Sequence, residues 1–464
     1  MPSFLHRLSF QKSSRKSQEA PSTTSPSSTP EVQVEPLPLP TPETQTVLLL
    51  HGARQQYQVT ENYPVPQLTG EHEVLVRAQA IGLNPIDWKA PWVHLDLRTF
   101  LGRQHDTDKP RRDFNFAIPE LPYISGRELA GEVVQIPRHE SRLKVKDRVL
   151  VISTDYRDLR KAAYQQYVVA FDYNTVRLPP TLSPEEGSTL GVAFVAAALA
   201  LGVCMGVDFS SVLDGPNLHS LLRKVAPELI PEDVRQECVD GIRDHERATT
   251  GDWLAIWGGS STSANLTIQL AKLAGLKTIA IVDKAKHGVR LANHRVIRTD
   301  LLVDSHDPQR AVDIIRGNLQ GKLRFGIDTR GRESATSLLQ ALSPGNLSPS
   351  SSSKAGTDGT PPSPPATPHD STQLSAHLIG LTGLPKQSAP EGTLFHTVPI
   401  KLFHEVPAVG RVMVEWLERL LEKGLVSPPE IIDVEQGLES VNKGLDRMRK
   451  GEISGGKLVV RVAA

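Results

Sequence analysis

The chain has 464 residues, with 52 basic and 52 acidic side chains and therefore no formal net charge. This length exceeds what one hydrophobic core usually organises, so two folded domains are expected. The balanced charge provides no overall field for gathering nucleic acid or an anionic membrane, and two cysteines exclude a disulfide framework and a four-cysteine zinc site. A small-molecule ligand fits these limits, and no nucleic-acid or membrane partner is expected.

The N-terminal segment, residues 1–45, begins with a basic stretch and is rich in Ser, Thr and Pro. Four Lys or Arg residues precede the first acid, Glu19, and large apolar side chains are few. Such a segment cannot offset the entropy of folding, so we expect a disordered tail. Its composition also suits a mitochondrial transit peptide, so the expected location is cytoplasmic with a mitochondrial alternative.

Residues 46–190 read mainly as a small antiparallel β domain. Short β-branched and apolar segments alternate with Gly, Pro and Asp, and helical periods are mostly absent. A buried helix is predicted to follow the Ser-Pro-Glu-Glu signal at Ser183. The apolar run at 190–207 contains several glycines and favours a core helix over a membrane span, which needs roughly 20 continuous apolar residues.

From residue 252 onward, strand patterns alternate with helix patterns. This alternation predicts a doubly wound parallel sheet with right-handed connections. Two stretches interrupt the pattern and are expected to be surface insertions: a charged, amphipathic one at 208–250 and a low-complexity one at 343–372. The last helix and strand are expected to return to the first domain.

A glycine loop, residues 258–263, follows the first predicted strand of this region. Gly258 and Gly259 permit a tight turn, and the next helix offers backbone N–H groups and a positive dipole to a phosphate. The hydroxyls of the following four residues are candidate cofactor ligands: Ser260, Ser261, Thr262 and Ser263. The last glycine of the G-x-G-x-x-G pattern is missing, so an ordinary strand-to-helix turn remains the alternative.

Asp283 ends the next predicted strand about 20 residues after the glycine loop, where an acid binds the adenosine ribose of a dinucleotide. A carboxylate at this place favours NADH. Lys284 and Lys286 follow at once and could instead neutralise the 2′-phosphate of NADPH. The choice of cofactor therefore stays open at this point.

Seven motifs resemble, in order, those of the medium-chain dehydrogenase/reductase superfamily, over roughly 46–206 and 251–462. The resemblance implies an α/β fold with a GroES-like β domain, 46–190 and 395–464, and a Rossmann doubly wound parallel-sheet domain, 191–394. The motifs are "AIGLNPIDWK", "GRELAGEVV", "VKDRVLV", "AYQQYVVA", "LGVAFVAAALAL", "WGGSSTSANLTIQLAK" and "LIGLTG".

Within that superfamily, the zinc alcohol dehydrogenases carry a Cys-His pair in the first motif and Gly-His-Glu in the second. This chain has Asn84 and Pro85 in the first and Arg127 before Glu128 in the second. Since catalytic zinc needs three N, S or O protein ligands, no zinc is expected and no metal-ligating residue is assigned. The chain is similar to the zinc-independent branch of quinone oxidoreductases, enoyl-thioester reductases and fungal trans-acting enoyl reductases.

The resemblance implies a reductase that transfers hydride from NADPH or NADH to a polarised C=C bond, in an enoyl thioester or an enone. NADPH is slightly favoured by the likeness, whereas Asp283 argues for NADH. The substrate would be a small molecule, free or bound to an acyl carrier, and the protein a monomer or homodimer. The alternatives are a quinone reductase and a non-catalytic protein that binds cofactor or RNA.

The resemblance also suggests roles for individual residues. Lys89 is the catalytic candidate, with a surface or ribose-contacting role as its alternative. Asn84 is expected beside the nicotinamide, and Gly380 and Leu381 beside its ribose. Phe194 is the candidate substrate contact, with simple core packing as the alternative.

Overall fold

The computed structural model describes most of the chain from residue 40 onward. The predicted tail at 1–45 lies mainly outside the described residues, as does most of the predicted insertion at 343–372. The described ranges are 40–90, 120–137, 141–155, 157–346 and 373–462.

Strands dominate the first part of the described chain, and strands alternate with helices in the second. The strands are β1 (Thr44–Leu49), β2 (Gln58–Pro64), β3 (Glu73–Gly82), β4 (Glu128–Gln135), β5 (Arg148–Ile152), β6 (Tyr167–Phe171), β7 (Thr175–Arg177), β8 (Trp253–Trp257), β9 (Lys277–Val282), β10 (Leu301–Asp304), β11 (Phe325–Asp328), β12 (Gly345–Asn346), β13 (Gln373–Leu374), β14 (Ala376–Gly380), β15 (Thr393–Thr397), β16 (Ile431–Gln436) and β17 (Lys457–Arg461). The helices are α1 (Pro85–Lys89), α2 (Pro184–Gly187), α3 (Gly191–Leu199), α4 (Leu218–Leu222), α5 (Glu232–Asp240), α6 (Thr262–Leu273), α7 (Lys284–Asn293), α8 (Pro308–Leu319), α9 (Arg332–Ala341), α10 (Leu402–Glu405), α11 (Pro407–Glu422) and α12 (Val441–Arg449).

The first sheet combines strands from the beginning and the end of the fold. Its order is β16-β17-β3-β4-β5-β7, and β6 also pairs with β3. The pairs are antiparallel except for β16 with β17. The two C-terminal strands thus lie in the sheet of the first domain. One apolar cluster fills this domain and includes side chains of β3, β4, β5 and α12.

The second sheet is parallel, with the order β10-β9-β8-β11-β14-β15. Helices α3, α6 and α11 pack in the apolar cluster on one of its faces, and α8 and α9 pack in the cluster on the other. This is the doubly wound arrangement, so the predicted α/β fold class is confirmed. Because β15 belongs to this sheet, the sheet extends to Thr397, beyond the boundary predicted at residue 394.

The apolar segment near the domain junction is a core helix. Helix α2 begins as its sequence predicts: Ser183 Oγ accepts a bond from Glu186 N at 3.1 Å, and the Glu186 carboxylate accepts one from Ser183 N at 2.8 Å. Among the described residues, only the segment Pro184–Cys204 is long and apolar enough to cross a membrane, and 94% of its apolar window is buried inside the protein. A π turn, Ala200–Cys204, ends this segment.

The insertion predicted at 208–250 is an ordered part of the protein. It contains α4 and α5, and its apolar side chains Leu218, Leu222 and Cys238 join the same core cluster as α3. The charged residues of the insertion lie mostly on its outer side, which explains why its sequence resembles a surface loop. The described residues on either side of the second insertion pair with each other, as the separate two-residue ladder of β12 and β13.

A buried carboxylate attaches α11 to the first domain. Glu418 accepts hydrogen bonds from Arg142 Nη1 at 2.6 Å, Arg177 N at 2.7 Å and Arg177 Nη2 at 3.1 Å. Its side chain is 8% exposed. A buried charge of this kind is stable only with its partners in place, so Glu418 holds the helix and β7 at a fixed distance.

We expect Glu418→Gln to lower the free energy of unfolding by about 3 kcal/mol, because it leaves the Arg142 guanidinium without its carboxylate. Urea unfolding followed by circular dichroism measures this change. Glu415→Gln on the same helix is the matched control, since Glu415 has no ion-pair partner in the described ranges, and its effect should stay within about 0.5 kcal/mol. Equal effects of the two substitutions would contradict the assignment.

Candidate active site and cofactor site

The carboxyl ends of the second sheet's central strands form one edge of the site. In the parallel register, Trp257 of β8 lies opposite Asp328 of β11, and Asp328 lies opposite Gly380 of β14. The strand order reverses between β8 and β11, which is where doubly wound sheets bind nucleotides. The glycine loop leaves β8 at this point.

Both glycines of the loop are required by close packing. Gly258 has a φ of +78°, and a Cβ there would lie 2.3 Å from the Thr329 hydroxyl oxygen. A Cβ at Gly259 would lie 2.7 Å from the Ala280 Cβ. The loop therefore lies close against the ends of the neighbouring strands, as a phosphate-binding turn requires.

The four hydroxyl residues of the loop differ in what they contact. Ser261 is the N-cap of α6: its Oγ accepts a bond from Ala264 N at 3.1 Å and lies 3.1 Å from the Thr329 hydroxyl. The hydroxyls of Ser260, Thr262 and Ser263 are partly exposed and have no hydrogen-bond partner within the described chain. These three hydroxyls are the ones available to a bound phosphate.

The missing third glycine is replaced by a polar contact. Asn265 is 8% exposed, and its Oδ1 accepts a bond from Gln269 Nε2 at 2.7 Å. Gln269 also binds the backbone of Ser427 through N–H and C=O, at 2.9 Å each. In the usual pattern, a glycine at this place lets the helix pack closely. Here the Asn265 and Gln269 side chains instead connect α6 to the segment before β16 by hydrogen bonds.

Asp283 stands at the end of β9, as its sequence position predicts. Its carboxylate accepts a bond from Lys286 N at 3.0 Å and caps α7. His306 Nε2 lies 3.6 Å and Lys286 Nζ 3.9 Å from the same carboxylate. Bonds to Asp304 and the charge of Asp283 raise the pKa of His306, which favours a cation at this edge.

A pocket of about 410 Å³ opens between β10 and the first turns of α7 and α8. The pocket is lined by Lys284, Asp304, His306, Asp307 and Arg310, among others. Asp304 and Asp307 both accept backbone N–H bonds, at 3.0 Å each. In contrast, the exposed Lys284 and Arg310 side chains have no ion-pair partner in the described ranges.

A buried ion pair, Glu128 with Lys457, connects the motif "AIGLNPIDWK" to the motif "GRELAGEVV" through Asn84. Glu128 and Lys457 are 0% and 3% exposed, and the Lys457 ammonium donates to Glu128 Oε1 and, at 3.1 Å, to Asn84 Oδ1. Asn84 Nδ2 donates to Glu128 Oε1 at 2.9 Å and to the Gly82 carbonyl at 3.2 Å. Glu128 Oε2 accepts a bond from Val192 N at 2.9 Å, at the start of α3.

This geometry changes the expected role of Asn84. The side chain is 6% exposed, and its amide is occupied on both ends by protein partners, so it fixes the loop rather than contacting a cofactor. Arg127, in the place of the zinc dehydrogenases' histidine, is a cation. A guanidinium and an occupied amide do not ligate zinc, so the residues at these positions do not suit a catalytic zinc ion.

A second buried cluster surrounds Asp87. Its Oδ2 accepts bonds from Asn84 N at 2.9 Å and Tyr164 OH at 3.0 Å, and Tyr57 OH donates to its carbonyl at 2.8 Å. Burial raises the pKa of Asp87 to about 6, and the charge of Arg127 opposes this rise. Burial acts to lower the pKa of Arg127, but Tyr123 and Asp87 reverse this and raise it. The cluster makes α1 and the start of β4 a rigid unit.

Lys89 and Phe194 lie in opposite environments. Lys89 is exposed at the end of α1, with its Nζ 5.7 Å from the Trp88 ring centroid. Its predicted catalytic role stays a prediction.

Phe194 has no exposed surface, and its ring centroid lies 5.7 Å from that of Trp416. A ring enclosed in this way cannot reach a substrate, so the structure assigns Phe194 to core packing.

Gly380 and Leu381 lie at the carboxyl end of β14, as expected from the motif "LIGLTG". A Cβ at Gly380 would be 2.8 Å from the Gly383 carbonyl oxygen, and Leu381 N donates to the Asp328 carbonyl at 2.9 Å.

Asp328 is a site residue that the sequence patterns did not predict. Its Oδ1 accepts bonds from Arg330 N and Gly331 N at 2.9 and 2.7 Å, and burial raises its pKa to about 6. An acid directly after a central strand, in "RFGIDTRG", was the available signal.

Comparison with known proteins points to one group. Residues 70–180 match the alcohol dehydrogenase GroES-like domain. A trans-enoyl reductase of Gibberella fujikuroi is 25% identical over 86% of this chain and 93% of its own length. The trans-enoyl reductase caaB of Aspergillus niger is 26% identical over 90% and 97%, respectively.

Solved structures show the same fold. The enoyl reductase CurK superposes with a TM-score of 0.61 at 14% identity, covering 90% of this chain and 99% of CurK. A quinone oxidoreductase of Pseudomonas syringae superposes with a TM-score of 0.58 at 16% identity, covering 90% and 99%. At these identities, the structural likeness concerns the fold.

Two glycine substitutions test whether the loop packs as tightly as described. Gly251 has a φ of +93°, and a Cβ added there would have no atom within 4 Å, so Gly251→Ala should cost only the backbone strain, about 1 to 2 kcal/mol. Gly258→Ala adds the overlap with Thr329 and should cost about 2 kcal/mol more. Chemical unfolding of both variants gives the difference, and equal losses would show that the loop is open.

Proposed function

We propose that this chain is a medium-chain reductase of the zinc-independent, enoyl reductase-like group, and that it reduces the C=C bond of enoyl thioesters with NADPH. The observation that carries this proposal is the match to fungal trans-enoyl reductases over nearly the full length of both chains. The substrate is proposed to be a small thioester, free or held on an acyl carrier.

The residues at the sheet edge fit a nicotinamide dinucleotide. Gly258 and Gly259 leave space that any side chain would fill, and three loop hydroxyls are available to a pyrophosphate. Gly380 ends β14 opposite Asp328, and we expect Gly380 and Leu381 to support the nicotinamide ribose there. When bound, the cofactor supplies the hydride.

The protein's own task is to stabilise charge on the substrate. Adding hydride to the β-carbon of an enoyl thioester places negative charge on the thioester oxygen, and a proton must then reach the α-carbon. Lys89 is exposed and has no ion-pair partner within the described chain, so its ammonium is free to donate a hydrogen bond to that oxygen. The buried carboxylates of Asp87, within α1, and of Glu128 both accept hydrogen bonds from Asn84 and so hold the start of α1 in place.

The pocket between β10 and the first turns of α7 and α8 supports NADPH as the cofactor. The Asp283 carboxylate caps α7 and lies close to His306 and Lys286, which offset its negative charge. Lys284 and Arg310 extend into the same pocket with free cationic ends. A 2′-phosphate would find two cations there, whereas a 2′-hydroxyl would use neither.

Substitution of Lys89 tests the reaction. We expect Lys89→Met to lower kcat for a crotonyl thioester about 100-fold with little change in KM, because one donor to the developing oxyanion is lost. The assay follows the loss of NADPH absorbance and identifies the saturated thioester by mass spectrometry. Lys423→Met, an exposed lysine at the end of α11, should retain the wild-type rate.

The outcomes of this assay separate the candidate activities. A wild-type rate in Lys89→Met would remove Lys89 from catalysis while leaving the function in place. Faster turnover of quinones than of enoyl thioesters by the wild-type protein would support a quinone reductase. No turnover of either substrate, despite cofactor binding, would contradict the proposed activity.

Substitution of Arg310 tests the choice of cofactor. Arg310→Ala should weaken NADPH binding at least about tenfold and leave NADH binding unchanged, since only NADPH carries the phosphate. Arg316→Ala, further along α8 and also exposed, is the matched control and should affect neither. Fluorescence titrations give the affinities. Tighter binding of NADH than of NADPH by the wild-type protein would contradict the proposal.

A further inference from the structure

We propose that Cys204, Glu237 and His396, three residues outside the glycine loop, form a binding site for one zinc ion. One ligand atom of each residue lies within 4.8 Å of the other two. The three residues come from the π turn after α3, from α5 in the insertion, and from β15 at the sheet edge. The site would therefore join the insertion to the second sheet.

The donor set suits zinc. Thiolate, imidazole and carboxylate are the three ligand types that zinc binds in proteins, usually in tetrahedral geometry. With Cys204 as thiolate and Glu237 as carboxylate, the two negative charges balance the charge of Zn²⁺. A neutral complex is the form that a largely buried site favours.

Two of the three proposed ligands are buried, and the third is partly exposed, which gives the metal ion a route from solvent to the site. Cys204 is 0% and His396 1% exposed, so neither contacts bulk solvent. The Glu237 side chain is 17% exposed and connects the cluster to the surface. A water molecule reaching the ion past Glu237 would complete four-coordination.

A second histidine holds the imidazole ligand in position. His396 Nδ1 lies 2.8 Å from Glu237 Oε1, so Nδ1 is the nitrogen that faces the ion. His396 Nε2 lies 2.9 Å from His377 Nδ1, and the His377 ring stacks on Phe325. Metal-binding histidines commonly use their other nitrogen in such a bond, which fixes the ring.

Metal binding would rearrange protons in this cluster. Without metal, His396 Nδ1–H donates to Glu237, and Cys204 is a buried free thiol. On binding, Zn²⁺ replaces the thiol proton, which leaves to solvent. The His396 proton moves to Nε2 and donates to His377, whose own proton moves to Nε2. Both rings stay neutral, and one proton is released per ion.

The spacing of the ligands explains why the sequence predicted no metal residue. Glu237 and His396 are 159 positions apart, and neither belongs to a short motif of paired ligands. Only the folding of the insertion onto β15 brings them together. The proposed ion is structural, and it leaves the argument against catalytic zinc at Asn84 and Arg127 unchanged.

The experiment uses the full chain, stripped of metal under reducing conditions and titrated with Co²⁺ and then Zn²⁺. We expect one Co²⁺ per chain with a sulfur-to-cobalt charge-transfer absorption, displacement by Zn²⁺, and a higher thermal midpoint in the loaded form. The wild-type titration alone decides the proposal if a variant fails to fold. Absence of the absorption band, or no shift in the midpoint, would overturn it.

Variants identify the ligands. Cys204→Ala should abolish the charge-transfer band, whereas Cys238→Ala, which removes the other buried cysteine next to Glu237, should retain it. His377→Phe should weaken Co²⁺ binding about 10- to 100-fold, because the imidazole ligand loses its orienting partner. A band that survives in Cys204→Ala, or that disappears equally in Cys238→Ala, would overturn the assignment.

Discussion

The Glu128 carboxylate, buried without exposed surface, is the interaction on which the arrangement of the site depends. Its two oxygens bind Lys457 from the last strand, Asn84 from the first motif and the Val192 N–H at the start of α3. A buried charge is tolerated only when its partners remain in place, so these distant segments cannot shift independently. Helix α1, which carries Lys89, is consequently fixed relative to α3, the helix that leads into the second domain.

The second sheet contributes the other half of the site. Gly258 and Gly259 let β8 end tightly against its neighbours, and Asp328 lies in register between β8 and β14. The loop compensates for its missing third glycine by the contacts of Asn265, through Gln269, with the Ser427 backbone. The hydroxyls of Ser260, Thr262 and Ser263 are partly exposed beside the N-terminus of α6, where a helix can accept an anion.

The insertion at 208–250 is part of the folded domain rather than a surface addition. Cys238 and Leu218 enter the main core, and Glu237 reaches His396 on the edge strand β15. An edge strand exposes unpaired backbone groups, and covering it protects the sheet. The metal site proposed there would strengthen a contact that the apolar packing already establishes.

Local periodicity and short motifs were enough to predict the fold class, the glycine loop, the place of Asp283 and the return of the last strand to the first sheet. The remaining features arose only when the chain folded. Asn84 became a partner of Glu128 and Lys457, Phe194 became core, β15 joined the sheet beyond residue 394, and Asp328 appeared at the switch point. Each of these features depends on contacts between residues that are far apart in the sequence. The spacing of residues within a short segment does not reveal such contacts, nor which side chains they bury.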